Sequence, residues 1–270
     1  MRSTNPREVT SPTNSLIKVF RRALADGATK EGWLAVEGPF LVEEALSAAP
    51  LVKTHSVLVA GGAAEKFSAL LDRLPADAEV TQVPDRLFAS VAQTQSPQGI
   101  AALVELPAYN LEQVVGARNP LLVVACRLQD PGNLGTMMRT ALAFSASAFL
   151  TLQETVSPFN PKAVRSSAGA IFRLPLVCGL NPNEALPFLS VHVRIVAAER
   201  NSPASLVQAD LRGPIAILVG REATGLPDEI ARYASQLLSI PIRKEVDSLN
   251  AAAAASIFLY EAARQRGFRY

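Results

Sequence analysis

Short, unbroken apolar runs with helical stretches between them constrain this chain more than any other feature of its sequence. Leu121–Cys126 and Ile215–Val219 are unbroken, and similar strand-like runs at Ala148–Leu152 and Val193–Ala198 each contain one polar residue, Thr151 and Arg194. A strand without polar alternation has both faces buried, which is typical of a parallel sheet covered by helices. The C-terminal part is therefore predicted to be α/β, with a mostly parallel sheet and helices on both faces.

The first 107 residues alternate between strand and helix on a smaller scale, which predicts a separate small α/β domain. Residues 1–13 are polar with two prolines and are expected to be loose, and a helix is predicted from Asn14 or Ser15 to Asp26. Residues 108–119 are predicted to link this domain to a second one at 120–270. A chain of 270 residues that is 49% hydrophobic can supply cores for both.

The charge pattern leaves two interpretations open. The net charge is only +2, but residues 1–30 carry six Lys or Arg against two acidic residues. Lys18, Arg21 and Arg22 of the predicted N-terminal helix can contact RNA phosphates, or they form a solvated helix face. Lys162 and Arg165, three residues apart on one helix face, present the same two alternatives.

Cysteine content and hydropathy favour a cytoplasmic protein. Cys126 and Cys178 both lie in apolar strand-like runs, and two buried thiols suit a reducing compartment. Neither has a histidine nearby, so no zinc or other metal site is expected. No apolar run approaches the roughly 18 residues of a membrane span, and no charged-then-apolar leader is present. We therefore expect no membrane partner.

Three polar clusters follow apolar runs in the last 140 residues. They are Asp130–Gly135 leading to Arg139, then Gly220–Leu226, and then Ser248–Asn250 before a run of alanines. Loops at the carboxyl ends of parallel strands commonly build ligand sites. Taken singly, however, each cluster is explained equally well as a capped helix or an ordinary turn.

The first cluster also permits a nucleotide-phosphate interpretation, because a glycine loop between strand and helix presents free N–H groups. The Walker pattern requires Gly-Lys-Ser or Gly-Lys-Thr, whereas Gly135 is followed by Thr136 and Met137. The dinucleotide pattern Gly-x-Gly-x-x-Gly is also missing. A nucleotide-phosphate enzyme is therefore a weaker hypothesis.

Taken together, the clusters resemble the motifs of the SpoU (TrmH-like) RNA ribose methyltransferases of the SPOUT superfamily, over about Pro120 to Arg264. The matching residues are Asn133, Gly135, Arg139 and Ala141, then Gly220, Glu222, Gly225 and Leu226, then Ile240-Pro241 followed by Ser248-Leu249-Asn250. The stretch Arg165–Gly169 is also similar. More loosely, Glu37-Gly38 and Gln95–Ile100 resemble the small ribosomal-protein-like α/β domain that often precedes this family's catalytic domain and binds its substrate.

The resemblance implies a deep trefoil knot, one of the rare exceptions to unknotted chains. It also implies S-adenosylmethionine bound by the knot loops, and a homodimer in which Arg139 of one subunit serves a site completed by the other. The positions assigned to the cofactor are Ala197, Ala198, Glu199 and Val219 around the adenosine, and Gly220, Ile240, Pro241 and Leu249, which contact it largely through backbone groups.

The implied reaction moves a methyl group to a ribose 2′-hydroxyl of structured RNA, first of all ribosomal RNA and next transfer RNA. Arg139 would contact the hydroxyl, and the residues that would fix it and the ribose are Asn133, Glu222, Ser248 and Asn250. Because a guanidinium keeps its proton, stabilisation of a developing oxyanion suits Arg139 better than general-base catalysis. The alternative is a non-catalytic RNA-binding protein that keeps the fold, and the intact polar residues weigh against it.

Overall fold

The computed structural model describes residues 7–221 and 225–268. The chain forms two compact units, Met1–Pro107 with Phe159–Arg165, and Ala108–Pro158 with Ser166–Tyr270. The segment 108–119, predicted as a linker, contains a helix that begins with a capping box between Asn110 and Gln113. Phe159–Arg165 belongs to the first unit although it lies far along the chain.

The first unit contains a five-stranded mixed sheet. Its strands are β1 (Arg7–Glu8), β2 (Leu34–Glu37), β3 (Lys53–Ala60), β4 (Glu79–Val83) and β5 (Ile100–Glu105). Their order is β1-β4-β3-β5-β2, with β5 antiparallel to both neighbours and the other pairs parallel. Its helices are α1 (Ser15–Asp26), α2 (Pro39–Ser47), α3 (Ser68–Leu71) and α4 (Asp85–Ala89).

Helix α1 forms where the sequence predicts it. The Asn14 side chain accepts a hydrogen bond from the Leu16 N–H at 2.9 Å and caps the helix. Helical spacing buries Ile17 and Phe20 against the core, and Gly27, at φ 98°, ends the helix. The expectation that residues 1–13 are loose is wrong at Arg7–Glu8, because the backbone of these two residues pairs with β4 and the next residue, Val9, is buried. Residues 1–6 lie outside the described residues.

The second unit contains a six-stranded sheet in which every neighbouring pair is parallel. Its strands are β6 (Leu121–Ala125), β7 (Ala148–Leu152), β8 (Leu176–Leu180), β9 (Arg194–Ala198), β10 (Ile215–Val219) and β11 (Gln236–Leu238). The order is β11-β9-β10-β6-β7-β8. The remaining helices are α5 (Leu111–Val115), α6 (Pro131–Ala143), α7 (Pro161–Ser166, which begins in the first unit), α8 (Pro182–His192), α9 (Asp228–Ala231) and α10 (Ala251–Gln265). The α/β class and the parallel sheet are confirmed; the knot stays a prediction.

Local contacts set the ends of several elements. Helix α6 begins at Pro131, because the Asp130 carboxylate accepts the Asn133 N–H at 2.8 Å and proline fits the first helical turn. Asn250 caps α10. Strand β11 has only three residues, and helices α3 and α4 are short. The expected burial of both thiols is wrong for Cys178, which is exposed.

Arg266, directly after α10, connects the end of this helix by hydrogen bonds to the start of β6 and to the turn before β10. Its guanidinium donates to the carbonyl oxygens of Leu211 at 3.0 Å and Asn119 at 2.8 Å, and also to those of Pro120 and Gly213. Burial lowers the pKa of Arg266 below its ordinary value. The planar fork of five N–H groups is what allows one side chain to satisfy four carbonyls.

We expect Arg266→Lys to lower the free energy of unfolding by about 2 kcal/mol, because an ammonium group leaves part of this carbonyl cluster without a donor. Urea denaturation monitored by circular dichroism measures the change. Arg264→Lys is the matched control, since among the described residues the Arg264 side chain pairs only with Glu261, at i,i+3, and its replacement should cost no more than about 0.5 kcal/mol. Equal losses in the two variants would contradict the assigned role.

Candidate functional site

The parallel sheet of the second unit brings the three polar clusters to one edge. Ala125 at the end of β6 pairs with Val219 at the end of β10, and Ala197 of β9 pairs with Leu218. Strand β11 continues this edge through Leu238, opposite Ala198. The segments that follow these strands carry the clusters, so the carboxyl ends of the strands gather residues more than 100 positions apart, as the sequence predicts.

A cavity of about 240 Å³ opens at this edge, and we call it the carboxyl-edge cavity. Its lining combines apolar side chains with glycine backbone and a few polar groups. The lining residues are Ala198, Glu199, Arg200, Asn201, Val219, Gly220, Arg221, Gly225, Leu238, Ile240, Ile242, Ser248, Leu249, Ala251, Ala254 and Phe258. An apolar wall with few polar groups at its mouth is typical of a small-molecule site.

Gly220 is required by the close approach of two backbone segments at the cavity wall. A Cβ atom at this position would lie 2.5 Å from the carbonyl oxygen of Gly225. The Arg221 and Gly225 backbones exchange hydrogen bonds at 3.2 and 3.0 Å directly after Gly220, which holds the two segments together. The wall therefore presents backbone atoms, with no side chain between them and the cavity.

An amide–amide hydrogen bond joins the first cluster to the third. The Nδ2 group of Asn250 donates to Oδ1 of Asn133 at 2.9 Å. The Oδ1 atom of Asn250 meanwhile accepts the N–H groups of Ala252 and Ala253 at 2.9 and 3.2 Å, which caps α10. One side chain thus fixes the start of α10 against the start of α6, directly after Ser248 and Leu249 of the cavity wall.

Charged groups lie at the mouth of the carboxyl-edge cavity. Glu199 is half-buried, and its backbone N–H donates to the Leu238 carbonyl oxygen at 3.0 Å. The Nη2 atom of Arg200 lies 3.0 Å from Oδ1 of Asp247. This exposed ion pair connects the segment after β9 to the residue preceding the third cluster.

Arg139 lies on the exposed face of α6 and does not line the carboxyl-edge cavity. It forms no hydrogen bond or ion pair with any residue in the described part of the chain. Its neighbour Thr140 contacts Ser256 of α10, with 3.2 Å between the two hydroxyl oxygens. The guanidinium is therefore available to a ligand or to a second polypeptide at the face where α6 and α10 meet.

Six of the eight positions that the resemblance assigns to a cofactor line this cavity: Ala198, Glu199, Val219, Gly220, Ile240 and Leu249. Ala197 is fully buried within β9, and Pro241 is exposed outside the lining. Of the positions assigned to catalysis, Ser248 lines the cavity, Asn133 and Asn250 lie together beside it, and Glu222 lies outside the described residues.

The basic residues predicted to contact RNA lie in the first unit. Lys18 is exposed on α1, whereas Arg22 forms an ion pair with Asp26 at 3.3 Å and Arg21 reaches the hydroxyl of Ser90 at 3.4 Å. Lys162 and Arg165 are exposed on α7. Their role in binding stays a prediction.

The sequence-based reasoning missed the α10 wall of the cavity. Ala251, Ala254 and Phe258 follow one another at helical spacing and line it from the same face of α10. The alanine run predicts close packing, and continuing its periodicity one turn further would have included Phe258. No histidine or cysteine belongs to the described lining, and burial raises the pKa of the Cys126 thiol, directly after β6, to about 11. The described groups suit binding and orientation rather than nucleophilic attack.

The chain matches known families over most of its length. Residues 120–260 match the model of the SpoU rRNA Methylase family, and residues 27–102 match that of the MRM3-like substrate binding domain. An uncharacterized tRNA/rRNA methyltransferase of Synechocystis is 32% identical over 96% of this chain and 94% of its own length. The 23S rRNA (guanosine(2553)-2′-O)-methyltransferase RlmP of Bacillus subtilis is 30% identical, over 94% of this chain and 98% of its own.

A solved structure agrees with these relatives. The AdoMet-bound rRNA methyltransferase from Sinorhizobium meliloti superimposes with a TM-score of 0.81 at 30% identity, covering 96% of this chain and 97% of that one.

Within the described part of the present chain, no group of three or more His, Cys, Asp or Glu side chains is placed to hold a metal ion, and no helix is long and apolar enough to cross a membrane.

We expect the effects of Asn133→Ala and Asn250→Ser on the free energy of unfolding to be non-additive. The interaction energy should be about 1 kcal/mol, the contribution of the amide hydrogen bond between the two side chains. Serine retains a helix-capping oxygen at position 250, so the cycle reports the contact between α6 and α10 rather than loss of the cap. Urea unfolding of the two single variants and the double variant measures it. Effects that add within about 0.3 kcal/mol would show that the two side chains act independently.

Proposed function

The chain belongs to the SpoU rRNA Methylase family, and from this premise we propose that it transfers a methyl group from S-adenosylmethionine to a ribose 2′-hydroxyl of structured RNA. The observation that carries the proposal is the Asn133–Asn250 hydrogen bond beside the carboxyl-edge cavity. This hydrogen bond joins Asn133 of the first cluster to Asn250 of the third, beside a cavity that Gly220 and Gly225 of the second cluster line. Three clusters that are individually unremarkable thereby form one site.

The carboxyl-edge cavity fits the cofactor in chemistry. Val219, Ile240 and Leu249 offer apolar surface to an adenine ring, and the missing Cβ of Gly220 leaves backbone groups open to polar atoms of the cofactor. Glu199 and Ser248 add a carboxylate and a hydroxyl at the mouth. When bound, S-adenosylmethionine supplies a methyl group on a positively charged sulfur, so the protein has to contribute only orientation and charge stabilisation.

Arg139 is the group we assign to the target hydroxyl. The 2′-oxygen becomes more negative as its proton departs, and a guanidinium aimed at that oxygen lowers the energy of this change. Its planar fork can contact a neighbouring phosphate at the same time. Asn133 and Asn250 orient the ribose, and we assign Glu222 and Ser248 to the same task. Because DNA lacks the 2′-hydroxyl, the substrate is RNA.

Ribosomal RNA is the substrate class that the relatives favour. The Bacillus subtilis relative carries 23S rRNA in its name, and residues 27–102 match a substrate-binding domain. We propose that the first unit selects the RNA, with Lys18, Arg21, Arg22, Lys162 and Arg165 contacting phosphates. Transfer RNA is the second choice. An enzyme acting on ribosomal RNA in a bacterial-type cell works in the cytoplasm, which is where we place this one.

We also propose a homodimer formed through the face where α6 and α10 meet. Ile257 and Tyr260, three residues apart on one face of α10, are 38% and 48% exposed and offer adjacent apolar surface to a partner. Tyr260 packs edge-on against Phe144, with ring centroids 5.8 Å apart, next to the helix that carries Arg139. A partner covering this face would bring its own site close to Arg139.

Replacing the target nucleotide by its 2′-deoxy form should abolish methyl transfer, because the nucleophile is then missing. The experiment maps the modified nucleotide with tritiated S-adenosylmethionine on ribosomal RNA lacking that modification, then repeats the reaction on a synthetic fragment with one deoxynucleotide. Labelling that persists would indicate a base as the target. RNA binding with no transfer to any RNA would instead support a non-catalytic RNA-binding protein.

Arg139→Ala should lower kcat by 10²-fold or more, the loss seen when one oxyanion-stabilising donor is removed, while the Kd for S-adenosylmethionine by calorimetry stays within twofold. Thr136→Ala, one turn earlier on the same exposed face of α6, is the matched control. Mixing Arg139→Ala with Ala254→Phe, which fills the cofactor cavity, should restore activity if Arg139 serves the partner's site. Unchanged kcat in Arg139→Ala would overturn its role.

A further inference from the structure

The edge of the second unit opposite the carboxyl-edge cavity is rich in arginine. We call it the amino edge, because it consists of the segments that precede the parallel strands, together with the residues packed against those segments. The arginines there are Arg118 before β6, Arg194 at the start of β9, Arg212 before β10, Arg232 after α9, and Arg266 after α10. The whole unit carries 14 Lys or Arg against 12 Asp or Glu, so its charge is close to balanced while this edge is strongly positive.

Two cavities open along this amino edge. The first, of about 590 Å³, is lined by three arginines, Arg118, Arg212 and Arg266, together with the rings of Phe144 and Phe268, which pack against Tyr260 at the border of the proposed dimer face. Its lining contains serine, asparagine and glutamine but no described aspartate or glutamate. Cationic and aromatic side chains without acidic ones are the combination that binds nucleic-acid backbone and bases.

The second cavity, of about 570 Å³, has the same character. Arg194, Arg232 and His192 line it, together with Tyr233, again without a described acidic residue. The guanidinium of Arg232 lies 5.1 Å from the centre of the Tyr233 ring and within 3.3 Å of its hydroxyl oxygen. This contact holds the arginine in place while leaving most of its N–H groups for a ligand.

The segment Asp210–Pro214 joins the two cavities into one surface. The Asp210 carboxylate accepts two hydrogen bonds from Arg212, at 2.9 and 3.2 Å, and its backbone carbonyl accepts one from Arg194. The same hydrogen bonds from Arg212 lower the pKa of Asp210 to about 2. One carboxylate thus stands between arginines of both cavities, and a net positive charge remains.

Among the described residues, Arg212 is the only one of these five arginines that forms an ion pair with a carboxylate. Arg118 is exposed and makes no hydrogen bond or ion pair there, and Arg232 contacts only its neighbouring tyrosine. Arg266 is also paired only with carbonyl oxygens. Like charges repel one another unless an anion lies between them, so a surface built in this way gains stability when a polyanion binds.

We propose that this amino edge binds the phosphate backbone of the substrate RNA, at a distance from the methylated nucleotide. The proposal rests on the proposed function, because it requires an RNA substrate. A structured RNA is long enough to reach both edges of one sheet, and the guanidinium fork matches phosphate oxygens. Arg118 and Arg232 supply the contacts, while Arg194, Arg212 and Arg266 shape the surface.

The test measures RNA affinity against salt concentration for the full-length protein. Each lost phosphate contact reduces the slope of log K against log salt concentration by about 1, so the Arg118→Gln/Arg232→Gln double variant should lose about 2. Its affinity for S-adenosylmethionine by calorimetry should not change. Arg86→Gln is the matched control, since Arg86 is an exposed arginine of the first unit with no described ion pair.

The outcomes separate this proposal from the one it rests on. If the wild-type protein neither binds nor methylates RNA, the proposed function fails. If the wild type methylates RNA and the double variant keeps both its salt slope and its KM for RNA, the amino-edge surface is refuted. That result would leave an acidic protein as the partner of the arginines. A KM for RNA raised at least several-fold with kcat preserved would support the RNA contact.

Discussion

The pairing of β6 with β10 is the constraint on which the rest of the second unit depends. These strands are about 90 residues apart in sequence, yet they pair in register from Leu121↔Ile215 to Ala125↔Val219, and every residue of both is buried. Parallel pairing gives the sheet two different edges. Residues after the strands meet at one edge, and residues before them meet at the other.

Local polar contacts then fix what the strand pairing brings together. Asp130 caps α6, Asn250 caps α10, and the hydrogen bond between Asn250 and Asn133 joins the two helix starts. At the far end of α10, Arg266 binds four carbonyls at the amino edge. The helix is held at both ends, so Ala251, Ala254 and Phe258 keep a defined position in the cavity wall.

The sequence predicted the features that arise from continuous patterns. Unbroken apolar runs indicated parallel strands, and the positions of the polar clusters after those runs indicated a shared edge. Features that depend on contacts between residues far apart in sequence were not predicted. Strand β11 pairs with β9 only as far as Leu238, because the next residue, Ser239, bridges to Ser205 instead, and Arg7–Glu8 forms a strand through its pairing with β4. The α10 wall of the cavity was missed because an alanine run with high helix propensity gives no sign of what it faces.

The polarity of the sheet also explains how one small unit can hold two unlike surfaces. Methyl transfer needs a confined, largely apolar cavity, whereas contact with a polyanion needs exposed positive charge. The two arginines that line the cofactor cavity, Arg200 and Arg221, are accompanied by acidic groups, since Arg200 pairs with Asp247 and Glu199 lines the same cavity. The amino-edge arginines are mostly unpaired and would repel a positively charged sulfur if they lay beside it. Separating them by the length of the strands, five residues at roughly 3.3 Å each, removes most of that repulsion in physiological salt. Arg139, on the exposed face of α6, is the positive group that we assign to the reacting hydroxyl in the proposed function.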